Sequence, residues 1–113
     1  MSRPSAGLAN LAEAAPVFAA LGDLTRLALV DRLCTGGPGS ITSLTAGSAV
    51  TRQAITKHLN LLAQAGLVHD VRRGRERIWA LDVERLDEAR HYLDRISQQW
   101  DQALDRLKKL VEE

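Results

Sequence analysis

Cysteine is almost absent from this sequence: Cys34 is the only one among 113 residues, which excludes an intramolecular disulfide and a cysteine metal cluster. Aromatic residues amount to 4%, so the core must be built mainly from Leu, Val, Ile and Ala. No long apolar run follows the first residues, and no stretch approaches the length needed to cross a bilayer. These absences predict a soluble, cytoplasmic protein without a membrane partner, and the length suits a single domain, 1–113.

Charge is distributed unevenly along the chain, although the net charge is only +1. Residues 51–77 contain six basic and two acidic side chains, whereas residues 78–113 contain six basic and nine acidic ones. Positive charge confined to one segment is what an anionic partner requires, but an ordinary solvated face would show the same pattern. The elements predicted around these charged residues are needed to distinguish the two interpretations.

Two helices are predicted in the first third of the chain. Residues 8–21 carry apolar side chains at helical spacing, and Pro16 lies either in the first turn of a shorter helix or at a kink of a longer one. Gly22 is a predicted helix stop and Asp23 a predicted N-cap. The second helix is expected to reach Cys34, with that thiol buried as a small hydrophobe and a redox switch as the minor alternative. Its predicted buried face is Leu27, Val30 and Leu33.

A short helix, a tight turn and a longer amphipathic helix follow the glycine-rich loop at 36–39. The short helix is predicted over residues 41–46, and Thr51 is the predicted N-cap of a longer helix that runs through Ala65. Its predicted buried stripe is Ile55, Leu59 and Leu62. This order of elements over 41–66 is typical of a helix-turn-helix.

The opposite face of the longer helix is polar and suits contact with DNA. Arg52 could bind guanine edges and Gln53 could bind adenine, whereas Thr56 and Lys57 could equally hold phosphates. His58 could contact DNA or support packing, and a plain solvated face is the alternative for the whole set. The predicted DNA-binding residues of this segment are Thr51, Arg52, Gln53, Thr56, Lys57 and His58.

Residues 67–81 are predicted to form a β-hairpin, the wing, with Gly74 in the left-handed position of its turn. Three arginines surround that turn, and because like charges repel one another they add little stability there. A nearby phosphate backbone would account for their placement. Arg73 and Arg75 are therefore predicted to bind DNA, whereas Arg77 could pair with an acidic neighbour. On the second helix, Arg26 is expected to make a structural pairing rather than a base contact.

Residues 83–112 are predicted to form one long helix with a heptad seam, because apolar residues recur at alternating spacings of four and three. Such a helix extends roughly 45 Å, longer than a small domain can cover. Part of the seam can pack on its own chain, and the remainder needs a partner, most simply a second copy. The predicted dimer-interface residues are Leu11, Phe18, Leu86, Leu93, Ile96, Trp100 and Leu107.

Three stretches resemble ArsR-type (arsenic-repressor-like) regulators: residues 20–27 (ALGDLTRL), residues 51–68 (TRQAITKHL with the later Leu62 and AGLV), and the wing tip RGR at 73–75. The match covers residues 17–81. The resemblance implies a mostly α (α+β) winged helix-turn-helix in the order α-α-α-α-β-β-α, with an added C-terminal dimerisation helix. It also implies a homodimeric transcriptional repressor.

The metal boxes of that family are missing. Arsenic and lead sensors carry a Cys-x-Cys pair in the short helix, where this chain has Ser40-Ile-Thr-Ser-Leu44. Zinc and nickel sensors use Asp and His on the last helix, where His91 stands with Asp87 and Glu88 but without a second histidine. The sequence therefore indicates a subgroup without a metal or cofactor, and the sensing function of the metal-binding members does not transfer.

The predicted function is that of a sequence-specific DNA-binding regulator, a homodimeric repressor that binds a palindromic operator and also acts at its own promoter. Double-stranded DNA and a second copy are the predicted partners, and a small-molecule effector is compatible with the sequence. No nucleophile–base pair, carboxylate pair or phosphate-binding loop points to an enzyme. The alternatives are a winged-helix protein-interaction module and a small-molecule sensor with an apolar pocket at the dimer interface.

Overall fold

The computed structural model describes residues 10–112, which form a winged helix-turn-helix, so the predicted fold class is confirmed. The elements in chain order are α1 (Leu11–Leu21), α2 (Leu24–Gly36), β1 (Gly39–Ser40), α3 (Ile41–Thr45), α4 (Arg52–Gln64), β2 (Val68–Arg73), β3 (Glu76–Leu81) and α5 (Val83–Glu112). The sequence did not predict β1, because two residues carry no detectable periodicity. It adds a third strand to the wing.

The first two helices meet at the predicted junction. Gly22 caps the end of α1, and the side chain of Asp23 caps α2 by accepting a hydrogen bond from the Arg26 backbone N–H at 3.0 Å. Helix α1 begins at Leu11, so Pro16 lies in the helix interior and not in the first turn. Residues 8 and 9 of the predicted helix lie outside the described residues.

The core is apolar and draws on all of the longer elements. The stripe predicted for α4 is confirmed, since Ile55, Leu59 and Leu62 are at most 2% exposed. The remaining buried residues of the core are Ala14, Val17, Ala20, Leu29, Val30, Leu33, Leu44, Leu67, Val68, Trp79, Ala89 and Tyr92.

Two predictions for α2 are wrong. Leu27 is 52% exposed, and Cys34 is exposed as well, whereas Leu29 is buried beside Val30 and Leu33. Leu27 and Cys34 are seven residues apart and therefore share one face of the helix. Apolar residues occur on two faces of α2, and only the face that carries Leu29, Val30 and Leu33 packs within this chain.

Capping hydrogen bonds set both ends of α4. The Thr51 side chain accepts from the Ala54 backbone N–H at 3.1 Å. At the other end, the N–H of Gly66 donates to the Ala63 carbonyl at 2.9 Å and the N–H of Leu67 donates to the Leu62 carbonyl at 3.0 Å. This pair of bonds is the Schellman arrangement, which requires the left-handed backbone that Gly66 adopts at φ +79°.

The wing is an antiparallel hairpin in which Arg73 pairs with Glu76 across a two-residue turn. Gly74 has φ +65° in that turn, as predicted, and Arg75 follows it with negative φ, which is typical of a type II′ turn. Strand β1 pairs with the other edge of β3, where Gly39 lies opposite Trp79. The chain order of the strands is therefore not their order in the sheet, which is β1-β3-β2.

Helix α5 packs on the core only near its beginning. Its buried residues are Ala89 and Tyr92, and the Tyr92 ring lies 5.8 Å from that of Phe18 in α1. From Leu93 to Glu112 every residue is exposed. In the part of the chain that the structure covers, no helix has the length and apolar character needed to span a membrane.

Candidate nucleic-acid interface

The outer face of α4 presents a polar surface. Arg52, Gln53 and Lys57 are exposed and Thr56 is half-buried, and the first two line an open groove with Ile41 of α3. Within the described residues, the side chains of Arg52, Gln53 and Lys57 make no hydrogen bond or ion pair. Their donors are therefore available to an external partner. An exposed helix in this position can enter a major groove.

Two hydroxyls of this segment already have intramolecular partners. Thr51 caps α4, and the Thr56 hydroxyl donates to the Arg52 carbonyl at 2.8 Å. To donate to a phosphate, the Thr56 hydroxyl would have to rotate away from this carbonyl. The Thr56 hydroxyl is therefore less available to bind a phosphate than the Lys57 side chain. This difference could not be predicted from the sequence.

His58 faces the junction of α1 and α2. Its Nδ1 atom lies 3.2 Å from Nη1 of Arg26 and 3.9 Å from Oδ2 of Asp23, and its side chain is 23% exposed. Of the two alternatives for His58, this position favours the packing role. The Arg26 backbone N–H, assisted by the nearby positive charge of Arg26, lowers the pKa of Asp23 below its ordinary value, so this carboxyl is ionised beside His58.

The arginines of the wing fall into two kinds. Arg73 and Arg75 at the tip are exposed, and neither forms an ion pair with any residue from 10 to 112. Arg77 instead donates to Asp70 across the hairpin at 2.8 Å and lies 4.7 Å from the Trp79 ring, which confirms the acidic neighbour allowed for it. This hydrogen bond lowers the pKa of Asp70. Arg73 and Arg75 at the tip therefore offer guanidinium groups without an acidic partner among residues 10–112.

Arg32 of α2 holds the short helix α3 in place, a role that could not be predicted from the residue pattern. Its guanidinium donates to the carbonyls of Leu44 at 2.9 Å, Ala46 at 3.3 Å and Ser43. Ser43 and Leu44 lie in the last turn of this five-residue helix and Ala46 is its C-cap, so their carbonyls have no intrahelical partners. Because 11 to 14 residues separate Arg32 from them, no local spacing signals the contact.

The predicted dimer residues form two groups. Phe18 and Leu86 are half-buried against the core of their own chain. The others are exposed: Leu11 by 76%, Leu93 by 51%, Ile96 by 38%, Trp100 by 64% and Leu107 by 55%. From Leu93 onward, the apolar seam of α5 is thus open to solvent in the single chain.

Arg26 makes the structural pairing that was predicted for it, with His58 and with the Ala20 carbonyl. His91 lies 3.4 Å from Asp87 on α5, but residues 10–112 contain no group of three or more His, Cys, Asp or Glu placed to hold a metal ion.

Comparison with known proteins identifies relatives over most of the chain, although no protein-family model matches it. The HTH-type transcriptional regulator Rv2034 of Mycobacterium tuberculosis is 38% identical over 93 residues, which are 82% of this chain and 83% of that protein. An ArsR-like transcriptional regulator from Rhodococcus sp. RHA1 has a similar solved structure, with a TM-score of 0.74 and 40% identity over 88% of this chain and 92% of that one.

A third similarity concerns the fold alone. The solution structure of the homodimeric winged helix-turn-helix DNA-binding domain Mb0332 from Mycobacterium bovis has a TM-score of 0.63 at 24% identity. It covers 88% of both chains.

Proposed function

The chain belongs to the ArsR family of winged helix-turn-helix transcriptional regulators, and from that premise we propose that it is a homodimeric repressor of a palindromic operator. The observation that carries the proposal is the set of exposed polar and cationic side chains without intramolecular partners on α4 and at the wing tip. We assign 41–66 to the helix-turn-helix, 67–81 to the wing and 83–112 to dimerisation.

The recognition helix of the proposal is α4. Arg52 and Gln53 would contact base edges in the major groove, because both side chains can make paired hydrogen bonds to a base. Lys57 would bind a phosphate, which positions the protein without specifying sequence. His58 would support α4 from behind and not touch DNA, in keeping with its contact to Arg26.

The wing tip would follow the DNA backbone beside the recognition helix. Arg73 and Arg75 would bind phosphates or enter the minor groove. Arg77 would stay with Asp70 and stiffen the hairpin. The net negative charge of residues 78–113 would keep α5 away from DNA.

Dimerisation would bury the seam of α5 with the exposed apolar side of α1. A solvated row of large apolar side chains that extends from Leu93 to Leu107 is unfavourable for an isolated chain. The homodimeric state of the similar Mycobacterium bovis domain supports this assignment. A two-fold dimer would place its two recognition helices about 34 Å apart, in successive major grooves. Occupancy of such a site at a promoter, including its own, would block polymerase.

Titration of the purified protein tests the proposal directly. One duplex comes from upstream of its own gene and the other is a scrambled duplex of equal length, each at about 50 and about 200 mM salt. Light scattering gives the mass of the protein and of the complex. Selective binding by a dimer is expected. Weak, equal binding to both duplexes that disappears at the higher salt would contradict the proposal.

Two variants on α4 separate positioning from specificity. Lys57→Ala should weaken binding to every sequence, whereas Gln53→Ala should relax the preference at one base position by about 1–3 kcal/mol. Gln64→Ala, at the opposite end of α4, is the matched control and should bind as the wild type does. Identical profiles of the first two variants across a library of sites would refute this division of roles.

A further inference from the structure

Arg26 connects three helices through one side chain. Its Nε atom donates to the carbonyl of Ala20 in the last turn of α1 at 2.7 Å, and its Nη1 atom lies 3.2 Å from Nδ1 of His58 in α4. Its own backbone N–H is held by Asp23 at the start of α2. The side chain is half-buried, so these contacts form in a partly desolvated junction where hydrogen bonds are stronger than in water.

The contact with His58 has a defined chemistry. An arginine guanidinium has donors only, so Nδ1 of His58 must accept. A hydrogen bond at this contact thus requires the tautomer of His58 that leaves Nδ1 free to accept and carries the ring proton on Nε2. The charged groups near Nδ1 are the guanidinium of Arg26 and the carboxylate of Asp23 at 3.9 Å.

The hydrogen bond from Arg26 to His58 fixes the rotation of α4 about its own axis, which apolar packing alone does not fix. Leu59 and Leu62 bury α4 against the core, but apolar contacts have no direction and allow small rotations of a helix about its axis. The bond from Arg26 to His58 is directional. His58 directly follows Lys57, so the rotation that this bond selects also determines where the outer face of α4 points.

We propose that Arg26 is a positioning residue for DNA recognition, which orients α4 relative to α1 through its hydrogen bond to His58. The inference rests on the proposed DNA-binding function and adds to it a link between the proposed dimer helix α1 and the base-contacting residues. Arg26 touches no base and acts through His58.

A purely structural role for Arg26 makes a different prediction. If Arg26 only closes the end of α1 through the Ala20 carbonyl, then removal of the His58 acceptor affects neither affinity nor selectivity. If it orients α4, loss of the acceptor reduces binding to the operator and leaves the mainly electrostatic binding to a scrambled duplex unchanged. The ratio of the two affinities therefore distinguishes the roles.

Two substitutions at one position test this. His58→Leu removes the acceptor and keeps an apolar side chain, and its operator affinity should fall about tenfold with scrambled-duplex affinity within about twofold of the wild type. His58→Asn places an amide oxygen close to the Nδ1 position, so operator affinity should return to within about threefold of the wild type. Light scattering should give the same mass for all three proteins.

The tautomer of His58 supplies a measurement that needs no variant to fold. Nitrogen chemical shifts of the wild-type imidazole should give an unprotonated Nδ1 and a protonated Nε2, and a proton on Nδ1 would overturn the proposal. If the wild type prefers the operator and the His58→Leu variant prefers it equally, the positioning role is overturned but the proposed function is not. A wild type that does not prefer the operator overturns the proposed function itself, and this role with it.

Discussion

Helices α4 and α5 are both amphipathic, yet the apolar face of α4 is buried and most of that of α5 is exposed. The apolar stripe of α4 is buried to within 2% of full coverage at Ile55, Leu59 and Leu62. The seam of α5 is more regular and longer, but only Ala89 and Tyr92 of that helix are buried, and Trp100 is 64% exposed. The stronger pattern therefore belongs to the less covered helix.

The difference shows what hydrophobic periodicity does and does not specify. A repeated apolar face indicates that a surface has to be covered, but the repeat carries no information on which chain covers it. Length supplies that information here. The 13 residues of α4 fit across the core, whereas the 30 residues of α5 extend roughly 45 Å and pass beyond it. The uncovered part of α5, from Leu93 to Glu112, is therefore the proposed dimer surface.

The largest effect is expected in α4. Leu59→Ala should lower the free energy of unfolding by about 3 kcal/mol, because it leaves a cavity at a side chain with 0% exposure. Urea denaturation at fixed protein concentration measures this loss. Asn60→Ala, an exposed neighbour, is the control and should change stability by less than about 0.5 kcal/mol. A loss below about 1 kcal/mol in Leu59→Ala would mean that α4 is not the core helix described above.

The second largest effect is expected in α5, whose apolar seam is covered only when a second copy of the chain binds. Trp100→Glu should raise the dissociation constant of the dimer at least about a hundredfold, because a large aromatic side chain at the centre of a seam carries much of the binding energy. Sedimentation velocity over a range of concentrations measures this constant. Gln98→Glu adds the same charge off the seam and should leave it nearly unchanged. Unaltered dimerisation of Trp100→Glu would assign the interface elsewhere.

Local signals in the sequence were sufficient where the contact partner is near in the chain. Thr51 and Gly74 mark a helix start and a turn, and each of them has the predicted role. The α4 stripe was predicted correctly because Ile55, Leu59 and Leu62 recur at spacings of four and three on one face, opposite a face that is polar. In α2 the apolar residues occupy two faces, so the choice of Leu27 over Leu29 was wrong.

Contacts between distant residues were not predictable from spacing. The guanidinium of Arg32 reaches three carbonyls around α3, and that of Arg26 reaches Ala20 and His58. An arginine on a helix has the same local pattern whether it is solvated, braces a helix end or binds DNA. Only the tertiary arrangement distinguishes these roles, which is why the sequence predicted a structural pairing for Arg26 without its partners and predicted no role for Arg32.

A smaller effect is expected at Gly66, where α4 ends beside α5. Gly66→Ala should lower the free energy of unfolding by about 1–2 kcal/mol, since φ is +79° and the new Cβ would lie 2.9 Å from Nε of Arg85. Gly36→Ala is the matched control, because a Cβ there meets nothing within 4 Å, and it should cause no loss. Equal stabilities of the two variants would show that the Schellman turn does not constrain the junction of α4 and α5.

The smallest effect concerns Asp23, the carboxylate beside His58 on the inner side of α4. Because folding lowers its pKa, the ionised carboxyl stabilises the native state fully above its unfolded pKa of about 3.9, and this contribution disappears as the pH falls through the lowered value. Asp23→Asn keeps an acceptor for the Arg26 N–H but does not titrate. Its free energy of unfolding should therefore fall less steeply than that of the wild type between about pH 5 and pH 2. Parallel curves for the two proteins would show that the charge of Asp23 does not stabilise the start of α2 that it caps.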